Sequence, residues 1–223
     1  MPETPLNVVI GAPSLITQLP AGPTLLVEAD GERLAALSAA LEHRQHPLRW
    51  HQAVLAAEAD AVLTWHRFSD RRLDGPLGLE GWQPHYPNVQ LLASQSLAGT
   101  RLESLLEDWP QAKVSSVTFQ LLVRQGDPLA ALQGAGPWLR RLERVELLGP
   151  VAVPFSGETM DTWLVMRGFC REEGRQDAWR RDPLATRLLA LDALQQERDQ
   201  LAEQLTQIRL TILTMATQLD AHP

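Results

Sequence analysis

Cysteine is all but missing from this chain. Cys170 stands alone among 223 residues, which excludes an internal disulfide framework and any metal site built from several thiolates. Lysine is as scarce: Lys113 is the single one, so the positive charge is nearly all arginine. Basic residues nowhere cluster, and the net charge is −7. That balance gives a polyanion little to hold, which argues against non-specific binding to nucleic acid or to an anionic membrane. No run of about 20 apolar residues exists to span a bilayer. The opening MPETPLNVVIGAPS lacks a basic stretch followed by a long apolar one, so it does not read as a secretory signal. A cytoplasmic, reducing location is the expectation.

What is present is ordinary for a globular chain: 44% hydrophobic and 21% charged residues, enough for one well-buried domain and an appendage. Leu6–Ile10 and Thr24–Glu28 are short, β-branched apolar runs that read as buried strands, closed by Gly11 and by the acidic Glu28. Glu32–His43 carries a helical stripe through Leu34, Leu37, Ala40 and Leu41. Leu48–Val54 and Ala61–Phe68 read as further strands. Asp74–Gln95 reads as loop, broken by Gly75, Pro76, Gly81, Pro84 and Pro87. Ser104–Trp109 is a helical turn and Val114–Val123 a central strand. Pro128–Leu142 is a helix interrupted near Gly134 and Gly136, Val145–Val153 another apolar stretch, and Met160–Phe169 a helix ending before Gly168. This order predicts an α/β fold with a mostly parallel sheet covered on its faces, spanning residues 1–178.

From Asp182 the pattern changes. Leu191, Leu194, Leu201, Leu205, Ile208, Ile212, Met215 and Leu219 repeat as a and d positions of a heptad, with Arg198 filling the one skipped a position. Asp182 and Pro183 suit a helix start. Residues 182–220 therefore predict an amphipathic coiled-coil helix. A strict a/d seam is narrower than a globular helix needs, so pairing with another copy or with a homologous chain is favoured over folding back onto the domain.

Several fragments in order resemble the FkbM-type family of S-adenosylmethionine-dependent methyltransferases, from about Val8 to Glu172. Val8-Val9-Ile10-Gly11-Ala12 is similar to the family's first strand and glycine turn. Leu26-Val27-Glu28-Ala29-Asp30 is similar to its second strand with the acidic end. Gln52-Ala53-Val54, Trp65-His66-Arg67-Phe68 and Arg101-Leu102-Glu103-Ser104-Leu105-Leu106 resemble later elements. Leu121–Leu139 (LLVRQGDPLAALQGAGPWL) is similar to the strand, Gln/Glu-Gly turn and helix that follow, and Val145-Glu146 and Arg167-Gly168-Phe169 complete the pattern. The resemblance implies a Rossmann-like methyltransferase fold. It also implies S-adenosylmethionine as cofactor, with Gly11 and Ala12 against its methionine part and Glu28 accepting hydrogen bonds from its ribose hydroxyls.

The sequence departs from the family where the ligand is gripped. In the Asp-x-Gly-Ala-Asn-x-Gly turn, Val9 replaces the Asp, Pro13 the Asn and Leu15 the second Gly. Proline removes an amide and leucine adds bulk where backbone must approach the cofactor. In the Asp-Val-Gln/Glu-Gly-x-Glu element, Gln125 and Gly126 remain, but Val123 and Pro128 replace both carboxylates and with them the groups for general-base work. The expectation is a domain with degenerate cofactor and catalytic motifs, serving as an oligomerising scaffold associated with glycan or natural-product biosynthesis. The alternative is an active O-methyltransferase acting on a sugar hydroxyl. The chain starts at the first strand, without the leading helix usual in the family, and so reads as a fragment or a reduced member.

Other candidates are weaker. His43, His46 and His51 lie close enough to ligate a metal, but a polar helix end broken by Pro47 is favoured, and no metal is expected. His85-Tyr86 suits a substrate mouth or a solvated loop. Trp82 in the same segment is a candidate for ligand stacking, and Cys170 is expected to be a buried structural thiol.

Overall fold

A computed structural model of the chain describes residues 4–11, 19–41, 46–107, 109, 114–122, 126–148 and 157–220. Among them, seven strands form one sheet in the order β3-β2-β1-β7-β8-β10-β9. These are β1 (Thr4–Ile10), β2 (Thr24–Glu28), β3 (Leu48–Gln52), β7 (Val114–Leu122), β8 (Leu142–Leu148), β9 (Phe169–Arg171) and β10 (Ala178–Arg181). The first five pair in parallel, whereas β10 runs antiparallel to both neighbours. The fold is α/β with a mostly parallel sheet, as the sequence implies. Helices α1 (Gly31–Leu41), α3 (Leu102–Leu106), α4 (Pro128–Gln133) and α5 (Gly157–Val165) alternate with the strands. A ₃₁₀ turn at Gly136–Arg141 replaces the second half of the long helix expected from Pro128, because Gly136 adopts φ +54°.

Strand register explains how the two faces differ. Leu25, Val8, Phe119, Val145 and Trp179 lie side by side across five strands and belong to the main core, together with Leu102, Leu132, Trp138 and Leu164. The adjacent row, on the other face, reads Leu26, Val9, Gln120, Glu146 and Ala178. On this face Leu34 of α1 packs on Val9 and Leu26. Beyond them the row turns polar. There Glu146 accepts from Gln120 at 3.0 Å and Arg144 at 3.1 Å and pairs with Arg175, while Arg144 grips both oxygens of Glu172 at 2.6 and 2.9 Å.

A second unit is inserted between β3 and α3. Strands β4 (Val54–Leu55), β5 (Val62–Phe68) and β6 (Leu91–Thr100) make a small sheet in the order β4-β6-β5. A ₃₁₀ turn (Arg71–Leu73) and α2 (Leu79–Trp82) lie between β5 and β6. The segment expected to be loop thus holds a helix and the start of a strand. Phe68, Leu73, Trp82 and Val89 give the insert its own core, and Leu147 of β8 packs against it.

After β10 the chain continues as α6 (Pro183–Asp220), 38 residues that span about 57 Å at 1.5 Å per residue. Asp182 caps it, accepting the Leu184 amide at 2.8 Å. Leu184, Leu188, Leu191, Leu194, Leu201, Leu205 and Ile208 are each more than half exposed, so this leucine face of the helix is not packed on the domain. Among the described residues, no helix is long and apolar enough to cross a membrane.

Candidate functional site

In an open parallel sheet, ligands bind beyond the carboxyl ends of the strands, where the winding reverses. Here the reversal falls between β1 and β7. Gly11, Glu28, Gly126 and Asp127 follow or end the strands at that edge. Gly11 is buried at φ +90°, a conformation that favours glycine, and its amide donates to the Val27 carbonyl at 2.8 Å. That bond ties the end of β1 to the end of β2, so the structure brings Gly11 beside Glu28. Ala12 lies outside the described residues, as do Pro13, Leu15, His43, Val123 and Gln125.

Glu28 is 0% exposed. Its Oε1 accepts the Asp30 amide at 3.0 Å, and its backbone carbonyl accepts the Ala53 amide at 3.2 Å. The carboxylate therefore tightens the turn from β2 to α1. Asp30 is committed as well: Oδ1 accepts the Glu32 amide at 3.0 Å to cap α1, and Oδ2 accepts from Arg71 at 2.9 Å. Arg71 also pairs with Glu32 at 2.8 Å, and its carbonyl accepts from Arg33 at 3.0 Å. The ₃₁₀ turn that carries Arg71 is itself capped by Asp70, whose carboxyl the Arg72 hydrogen bond holds below the usual range. Asp74, buried, accepts the Phe68 amide at 2.8 Å and fixes the insert's corner.

These contacts place the insert across the strand ends. At one side it is bound to the β2–α1 turn through Arg71, and at the other it packs on Leu147 near the end of β8. Where it faces the β7–α4 turn, a cavity of about 400 Å³ remains, walled by Val54, Leu55, Leu63 and Leu77 opposite Gly126 and Ala130. Glu58 and Asp127 are the acids at its rim, and Asp127 already caps α4 through the Leu129 amide at 2.9 Å. Pro128 opens α4 at its first turn, where the missing amide costs nothing.

Among the described residues, the acid at the end of β2 is sealed from solvent, its neighbour Asp30 is engaged by Arg71, and the cavity beside the β7–α4 turn is lined mainly by apolar side chains.

Two other expectations change. Trp82 is 1% exposed and meets Tyr86 edge-on at 6.0 Å, so it is an anchor of the insert core rather than a stacking platform. Cys170 is exposed rather than buried: it sits on β9, which β10 covers from one side only. His46 is exposed ahead of β3, and among the described residues no three metal-ligating groups come together. The sequence reading missed Arg71, whose partner Asp30 lies 41 positions away. Compared with family models, curated proteins and solved structures, the chain matches none.

Proposed function

We propose that the chain is a methyltransferase-like scaffold module whose ligand crevice has been narrowed to an apolar cavity by its own insert, and that α6 assembles it with a second copy. The observation that carries the first half is the buried Glu28 beside Asp30, which Arg71 of the insert engages. The strand order supports the ancestry, since a last strand running antiparallel between its two neighbours is also the arrangement of the S-adenosylmethionine-dependent methyltransferase sheet; this is an analogy of fold, not of activity. The replacements at Val9, Pro13, Leu15, Val123 and Pro128 fit the same reading. An active O-methyltransferase on a sugar hydroxyl draws on the placement of Gly11 and Glu28, but the covered strand ends count against it.

Calorimetric titration of the full chain with S-adenosylmethionine tests the proposal. The expected outcome is no saturable heat at millimolar cofactor. Micromolar binding that disappears in Glu28→Ala overturns it and restores the enzyme.

For α6, the exposed leucines fit a parallel, in-register pair as a coiled-coil seam. In that register the hole that receives Arg198 includes the partner's Glu197, so the one charged a position meets an opposite charge.

A further inference from the structure

The opposite edge of the sheet carries a second pocket. It has a volume of about 330 Å³ and sits where α5, the ends of β9 and β10 and the first turns of α6 converge. Trp163, Phe169, Leu139 and Met166 give it an apolar wall, and Arg140, Arg167 and Arg181 line it too. Eight other arginines of this acidic chain pair with carboxylates: Arg33, Arg71, Arg72, Arg101, Arg144, Arg171, Arg175 and Arg198. Among the described residues, the three at the pocket make no ion pair.

Two of them are met by rings and carbonyls instead. Arg167 stacks at 3.7 Å over Trp163 and donates to the Trp163 carbonyl at 3.1 Å. Arg181 stacks at 4.5 Å over Phe169 and donates to the carbonyls of Leu142 and Leu139 at 2.7 Å each, with Arg167 O at 3.4 Å. Burial lowers the pKa of both guanidinium groups, and Glu143 acts on Arg181 only through space. Arg181 spends its donors on the protein. Arg167 keeps N–H groups to spare, and Arg140 is exposed with no hydrogen bond among the described residues.

From this geometry we infer that the pocket binds an organic carboxylate with an apolar body, its head on Arg140 and Arg167 and its body against Trp163, Phe169 and Leu139. A guanidinium fork suits a carboxylate, and an apolar cleft of this size with a few convergent polar groups is the usual form of a small-molecule site. Thr186 and Ala190 of α6 complete the wall, so an occupant fastens the root of α6 to the domain.

Octanoate is the probe, with 1-octanol as its neutral twin and acetate as the head alone. Calorimetry on the full chain should give saturable octanoate binding, with octanol and acetate each weaker by at least about tenfold. Arg140→Gln with Arg167→Gln should weaken octanoate by about tenfold or more at unchanged octanol affinity. Ala190→Phe, which fills the cavity and leaves every arginine in place, should abolish binding. No saturable octanoate binding, octanol binding as tightly, or unchanged affinity in either variant overturns the inference.

Discussion

Glu28 shows how much a single acid can be read from sequence, and how little. Its place at the end of an apolar, β-branched run is legible, and so is Gly11 at the end of another. The burial of Glu28 is not legible, because it is set by tertiary packing, and neither is the Arg71–Asp30 pair, formed across 41 positions with no local periodicity. Trp82 misleads for a related reason: glycines and prolines around it signal loop, while the tertiary contact with Phe68, Leu73 and Val89 makes it core. As Glu28 Oε1 accepts the Asp30 amide inside the protein, Glu28→Ala should lower stability by about 1–3 kcal/mol, whereas Glu28→Gln, which keeps an acceptor, should cost less. Urea denaturation of both variants checks the difference. A cost that is equal in the two assigns the carboxylate a role other than acceptor.

At the scale of elements, the inner strands β1, β2 and β7 were readable because burial on both faces makes them largely apolar runs, whereas the half-exposed edge strand β3 carries Arg49, His51 and Gln52. Strand β6 was not. Leu91–Leu97 are mostly exposed, with Ser, Gln and Ala between the leucines, so neither period 2 nor continuous hydrophobicity marks them. Strands β9 and β10 are three and four residues long, too short for any pattern. The insert is held to the main body at close quarters near Gly134, where an added Cβ would collide with the Ala56 carbonyl and crowd the Leu102 amide. Backbone cannot yield there as a side chain would, so Gly134→Ala should cost about 1–3 kcal/mol, measured by thermal or urea unfolding. The Arg71 clamp belongs to the same element. Arg71→Ala should speed amide hydrogen exchange across Arg71–Leu73 and the Gly31–Arg33 turn while leaving β1 and β7 protected. Uniform exchange across all of these segments in the variant removes the local clamp.

For the whole molecule, acidity should be the sharpest stress. Hydrogen bonds from Arg171, Arg144 and Arg175 hold the carboxyls of Asp161, Glu172 and Asp177 below their ordinary range, and Asp161 also accepts from the Trp179 indole. A depressed native pKa means that the stability from these groups is complete above the unfolded values near 4 and drains away as pH falls through the native ones. Melting temperature should therefore be flat down to about pH 5 and fall below about pH 4, less steeply in Glu172→Gln with Asp161→Asn. Assembly through α6 has its own measurement: light scattering should report a dimer for the native chain and a monomer for Leu201→Asp with Leu205→Asp, at unchanged domain melting. A native monomer at high concentration ends that proposal. The long helix also leaves the domain from β10, an inner strand laddered to β8 on one side and β9 on the other. Tension arriving along α6 would thus be borne by two rows of hydrogen bonds at once, with Arg181 stitching the junction to the carbonyls of Leu139 and Leu142, which makes this exit a firm mooring for a rod-like tether.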